Sequence, residues 1–597
     1  MKTDRDDTPN DRAAANQLAN ELDDQSAETT TADTAADTAA LTFPKRLWQT
    51  ITAPLTYGGL VLGVVFGWQS FKPTLMPRGG VSQAAITALC VLLGYAFGTL
   101  AGRMVRFALD RSGVKIPASV WPTARKVLAG VAVVVAVAGL VLWVGWQNDQ
   151  RDLVGMDHIS LTAAIPVVIV VPILVLVIGS IGRLVGASVR SLDRWNQKHL
   201  SRTAALVVTT IIVALASIYV LRDVAFTRFT LWADSAFGSV NTTTSDDVTQ
   251  PRNPEASGSP ESLVDWESLG LHGRSFAGGS TSPEEMKEFW GEDAELVTPV
   301  RAYVGKTDGT MRDRARLAVR ELERAGGFDR SVLVVATTTG SGWIDPDAAE
   351  ALEMMHRGDT AIVSMQYSFL PSWISFVTDL DAAADSGTEL FNATYERWSQ
   401  LPKTDRPKLI VFGLSLGSYG AEFAFAGPDS MTSLANVEAR TDGVLLVGAT
   451  NSNPMHRQFV AGRDAGSTVW NPIYDGGRDV QFITRDPNQT TPTKPATWPL
   501  VYVQHPSDPV TQWGFDWLWS PSAWNDRPRG YDVPDTGGWF PVVTWVQGVF
   551  DLMAGFGAPP GFGHDYRLDY VNGWSRVVPP DAWTVSDTKR LEAFLAD

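Results

Sequence analysis

The sequence predicts two structural classes in series: an α-helical membrane bundle of five spans, then a doubly wound α/β domain on a mostly parallel sheet. Three observations predict this. Five stretches of about 20 predominantly apolar residues lie between positions 51 and 221. From residue 266 onward, short β-branched runs alternate with amphipathic helical patterns. Between the two halves, residues 223–265 are rich in Pro, Ser and Thr and read as a flexible connector.

At 597 residues the chain exceeds a single domain. A net charge of −16 argues against nucleic acid as a partner, because nothing would neutralise phosphates. Much of that charge sits at the start. Residues 1–40 hold ten Asp/Glu against three Lys/Arg with almost no large apolar side chains, so 1–45 reads as a disordered acidic tail. Such a tail is most simply a solvated extension, and an envelope protein is the partner it would suit. The single cysteine, Cys90, lies in an apolar run, which excludes an intrachain disulfide and a thiolate metal site.

The membrane region, 46–222, places its spans at about 51–69, 83–102, 127–146, 161–182 and 203–221. "VLAGVAVVVAVAGLVLWVGW" and "LTAAIPVVIVVPILVLVIGS" carry no charge at all. Orientation follows from the loops. Arg103, Arg106, Arg111, Lys115, Arg125 and Lys126 follow the second span, and Arg183, Arg190, Arg194, Lys198 and Arg202 follow the fourth. The intervening loops hold only Lys72, Arg78 and Arg151. Positive loops mark the cytoplasmic side, so the N-terminus is expected inside and everything after residue 222 outside. The spans lack ionisable residues at mid-depth, which weighs against a transporter or channel.

In the soluble region, 266–597, the expected strands are "ELVTPVRAYVG", "SVLVVATTTG", "TAIVSMQYS", "PKLIVFG", "GVLLVGAT" and "WPLVYVQ". Helices are expected over "MRDRARLAVRELERAG", over "DPDAAEALEMMHRG" with Asp345 as N-cap, and over 378–400.

The stretch "KLIVFGLSLGSYGAEFAFAG" sets Ser415 between Gly413 and Gly417 where a strand meets a helix. Small neighbours permit the sharp turn that exposes a serine Oγ above a sheet, and the Leu416 N–H then faces a developing oxyanion at the helix N-terminus. A serine hydroxyl needs a base and an orienting acid, expected in the chain order Ser, acid, His. Elimination among the seven histidines leaves His564 in "PPGFGHDYRLDY". Asp508, four residues past "WPLVYVQ", is the best-placed acid. The second oxyanion donor is expected from "TTTGSGW", with Thr339 first and Thr338 and Gly340 beside it. Metal catalysis by His505, Asp508 and His564 lacks supporting spacing, so neither metal nor cofactor is expected.

"RAYVG", "ATTTGSGW", "FGLSLGSYG", "QHPSDPV" and "FGHDY" resemble the membrane-anchored α/β-hydrolase family of actinobacteria, which sets a multi-span region before an α/β-hydrolase domain. The resemblance covers most of the chain beyond residue 45 and implies the fold and a Ser-Asp-His triad. One departure stands out: no strand precedes His564, where "GGWFPVVTWVQGVFDLMAG" reads as an apolar helix.

Residues 511–558 form an aromatic-rich insertion with Trp513, Phe515, Trp517, Trp519, Trp524, Phe540, Trp545, Phe550 and Phe556. They are read either as ordinary core or as a lid that admits an acyl chain. The expected function is a multi-pass membrane serine esterase of lipase type, acting outside the cytoplasm on a lipid or acylated envelope ester. An acyltransferase with the same triad and a non-catalytic envelope scaffold are the alternatives.

Overall fold

The computed structural model describes residues 55–113, 120–220, 222–223, 227–489 and 496–596. The expected acidic tail lies outside them. Five helices open the described chain: α1 (Tyr57–Ser70), α2 (Gly80–Arg111), α3 (Val120–Leu153), α4 (Ile165–Asn196) and α5 (Arg202–Tyr219).

Four of these, α2 to α5, are long and apolar enough to cross a membrane. Among the described residues, this corrects the expected five spans to four. α1 covers the first expected span but begins only at Tyr57, after an extended Thr56, and runs for 14 residues. That is roughly 21 Å, short of a hydrocarbon core of about 30 Å. It is instead a packing helix. Gly59, Gly63 and Gly67 recur every fourth residue and are buried, facing Val91 and Tyr95 of α2. A Cβ on Gly98 would lie 2.0 Å from the Gly58 carbonyl oxygen, so the two backbones touch. Outward side chains of the longer helices, among them Val133, Leu176 and Leu215, are exposed apolar groups.

The connector is more structured than its composition suggests. Residues Thr227–Asn241 form a helix. Ala256 and Ser257 are buried beside the first strand, where the Ser257 N–H donates to the Arg301 carbonyl at 3.0 Å. Polar residues there hydrogen-bond to the sheet edge instead of to water.

The sheet has seven strands, all parallel: β1 (Val300–Val304), β2 (Val332–Thr337), β3 (Thr360–Met365), β4 (Lys408–Leu414), β5 (Gly443–Val447), β6 (Val480–Ile483) and β7 (Leu500–Val503). Their order is β1-β3-β2-β4-β5-β7-β6. Buried Val, Ile and Leu on both faces explain why the strands read as continuous apolar runs. β6, "VQFI", escapes sequence reading because it is four residues long with a half-exposed Gln481. No strand lies between β7 and His564; the expected apolar helix is there, over Val543–Gly555. It packs through Val543 and Val546 on Phe66 of α1 and Ile86 and Cys90 of α2.

The backbone contact between α1 and α2 gives a matched test. Gly98→Leu must push the helices apart, whereas a side chain at Gly130 meets nothing within 4 Å. Thermal unfolding in detergent should fall by several degrees for Gly98→Leu and stay near wild type for Gly130→Leu. Equal midpoints would contradict the close packing.

Candidate active site

The carboxyl ends of β2, β4, β5 and β7 gather at one edge of the sheet, where open α/β sheets place their ligands. Ser415 follows β4, the central strand, and caps the helix Leu416–Phe423. Its backbone sits at φ 57°, ψ −126°, a region that a residue with a Cβ rarely occupies. Neighbours hold it there. The Ser415 N–H donates to the Val447 carbonyl at 2.9 Å and its own carbonyl accepts from Ser418. Both flanking glycines are required by contact. A Cβ on Gly413 would lie 2.5 Å from the Gly417 carbonyl oxygen, and one on Gly417 would lie 2.3 Å from that of Thr337.

Asp508 and His564, 56 residues apart in sequence, meet directly. His564 Nδ1 lies 2.8 Å from Asp508 Oδ2, with both side chains buried. Asp508 caps a short helix through Pro509, and its Oδ1 accepts the Val510 N–H at 2.8 Å. The Tyr566 hydroxyl donates to Oδ2 at 2.6 Å. Burial alone would raise the carboxyl, but the His564 partner, the Tyr566 hydroxyl and the Val510 amide together hold it below the usual carboxylate range. An ionised Asp508 fixes His564 with Nδ1 as donor, which leaves Nε2 as the free acceptor. Nε2 is buried without a hydrogen-bond partner. Ser415 and His564 both sit at the end of β5: the Ser415 N–H bonds to the Val447 carbonyl, and a Cβ built on Gly448 would lie 2.7 Å from the imidazole Cε1.

The expected oxyanion donors divide. The Thr339 N–H donates to the Trp343 carbonyl at 3.0 Å, and the Gly340 N–H to Ser372 Oγ at 3.2 Å. Both N–H groups already have partners. Thr338 remains. Its peptide lies against Gly417, and its side chain is tied back to the Met365 carbonyl at 3.1 Å. The Leu416 N–H, first in its helix, has no carbonyl a turn earlier to bond.

Sequence reasoning missed the layer behind this pair. His505 bridges the Gly563 carbonyl at 2.9 Å and Asp569 at 3.1 Å, and its ring stacks on Tyr566 at 4.2 Å. Burial works against its charge, but Asp569, Asp532 and the Gly563 carbonyl raise its pKa overall. Ser507 accepts the Gly563 N–H at 3.0 Å and donates to Asp532 at 2.6 Å. Chain order marks Asp508 and His564, but nothing in the sequence marks a second His–Asp pair behind them. Among the described residues no cluster of His, Cys, Asp and Glu has the arrangement of a metal site.

Tyr566→Phe removes one donor from the Asp508 carboxylate and should lower kcat by about tenfold, equivalent to ~1.4 kcal/mol. Gly448→Ala would intrude on the His564 ring and should abolish turnover while leaving the circular dichroism spectrum unchanged. Full activity in either variant would exclude this geometry from catalysis.

Two family models match the chain: the alpha/beta-hydrolase family over residues 300–591, and the N-terminus of that alpha/beta-hydrolase family over residues 71–280. No curated protein and no solved structure gives a significant match. The two family regions meet the two halves of the structure, the second reaching back through α2 to α5. With its seven-stranded parallel sheet, the chain belongs to the α/β-hydrolase family.

Proposed function

We propose that the protein is a membrane-anchored serine hydrolase that cleaves a carboxylic ester through Ser415, His564 and Asp508. The observation that carries this reading is the combination of a strained, buried Ser415 with a His564 whose Nε2 is unpartnered and whose Nδ1 is held by an ionised Asp508. In the reaction, His564 Nε2 takes the Ser415 proton as Oγ attacks the ester carbonyl carbon. The oxyanion is held by the N–H groups of Leu416 and Thr338. Collapse breaks the ester C–O bond, and the imidazolium gives its proton to the departing alkoxide. Water, deprotonated by the same imidazole, then hydrolyses the acyl-enzyme and returns Ser415.

The surroundings favour an acyl substrate. Phe556 lies edge-on to His564 at 5.0 Å and is 51% exposed, and Met553, Phe515 and Trp519 of the insertion are exposed with it. A lipid or acylated envelope ester suits an apolar rim next to membrane helices. Location follows from charge. The loop 71–79 touches both the hydrolase domain and the end of α3, through Thr74, Arg78, Gln147 and Gln150. Arg103, Arg106 and Arg111 of α2, Arg125 and Lys126 of α3, and Arg183, Arg190 and Arg194 of α4 lie at the other ends of the same long helices. Positive ends face the cytoplasm, and the four spans α2 to α5 then put the hydrolase domain outside.

A series of p-nitrophenyl esters tests the assignment. Wild-type protein in detergent should hydrolyse them with a preference for longer acyl chains. Ser415→Ala should be inactive, and Asp508→Asn should lose about 10⁴ in kcat through the wrong imidazole tautomer. Undiminished turnover by folded Ser415→Ala would refute the assignment.

A further inference from the structure

The loop between α1 and α2 belongs to the membrane half by sequence, yet it is buried in the hydrolase domain. Leu75 and Met76 join Trp513, Trp517, Trp524, Val533 and Ala558 in one apolar cluster. Arg78 Nε lies 3.2 Å from Asp551 Oδ1 in the insertion helix, with both side chains almost wholly out of water. The Thr74 hydroxyl and the Leu75 N–H reach the other carboxylate oxygen. One turn earlier on the same helix, Gln547 donates to the carbonyls of Ser70 and Lys72 at 3.1 and 2.9 Å. A simple tether would not need these contacts. A buried ion pair adds little to stability because desolvation offsets its attraction, but it fixes geometry.

Two routes lead from this loop to the imidazole. The insertion helix ends one turn after Asp551 at Gly555, whose carbonyl accepts the His564 N–H at 3.1 Å. Gly555 is also wedged against Pro509, beside Asp508: a Cβ there would lie 2.9 Å from the proline ring. The second route is Met76. A Cβ on Gly563 would lie 3.0 Å from its Cε and 3.1 Å from its Sδ, so the thioether fills the space left open one residue before His564.

Resting on the reading of His564 and Asp508 as base and acid, we propose that the α1–α2 loop is a positioning element of the active site. Arg78 acts through Asp551 and Gly555, and Met76 acts through Gly563. The membrane domain thereby sets the orientation of His564 as well as holding the enzyme at the bilayer.

The test uses the full chain in lipid nanodiscs. Arg78→Ala with Asp551→Ala removes both partners and leaves no buried charge unpaired. Met76→Ala alters no charge and keeps the test valid if the double variant does not fold. Readouts are the rate of fluorophosphonate labelling, kcat and KM on p-nitrophenyl butyrate, and the acid limb of the pH–kcat profile. The double variant should lose about tenfold or more in labelling rate and kcat with KM within about twofold, because misorientation costs chemistry and not binding. Its acid limb should move, and Met76→Ala should show the same pattern more weakly. Labelling rates and pH profiles like wild type in folded variants would overturn this proposal alone. A wild-type protein that does not label would overturn the hydrolase reading and this proposal with it.

Discussion

The backbone turn at Ser415 is the constraint on which the rest of the site depends. A residue with a Cβ at φ 57°, ψ −126° is unfavourable by about 1–3 kcal/mol, and it persists because its surroundings over-determine it. β4 is the central strand, paired on both sides by β2 and β5, so the chain leaves the sheet at a fixed point. Gly413 and Gly417 let the helix close down on the strand, and the bond from the Ser415 N–H to Val447 locks the turn to the next strand. Gly448 directly follows that strand, and the imidazole rests against it. One strained residue therefore fixes the level at which a histidine from a distant loop must arrive.

His564 arrives there through support from three directions. Asp508 and Tyr566 hold its ring from behind, the His505–Asp569 pair and Ser507 hold the preceding Gly563, and the Gly555 carbonyl holds its backbone N–H. The insertion that supplies Gly555 is anchored on α1 and α2. Half of its tryptophans are core, since Trp513, Trp517 and Trp524 are buried, while Phe515, Trp519 and Phe556 remain exposed. The reading as ordinary core holds for the buried tryptophans, and the lid reading concerns only the exposed residues.

Much of this was legible in the sequence where the signal is local. The glycines around Ser415, the β-branched strands and the uncharged helices each carry their physical reason within a few residues. Asp508 and His564 were legible through chain order, and the structure brings them to 2.8 Å. What escaped depends on contacts between distant segments. The engagement of Thr339 by Trp343 is invisible in "TTTGSGW", because glycines there signal only a close turn. α1 looked like a span by composition, but glycine-mediated packing and a late start leave it short. Arg78 looked like an isolated charge in a loop, and its partner lies 473 residues away.

The central claim is that Ser415 is an activated nucleophile, and the most direct measurement is the site of covalent modification. Full-length protein would be treated with a fluorophosphonate, digested and mapped by mass spectrometry. One adduct is expected, on Ser415, that forms in native protein and not after denaturation. An adduct on another residue, or none on folded and accessible protein, would contradict it.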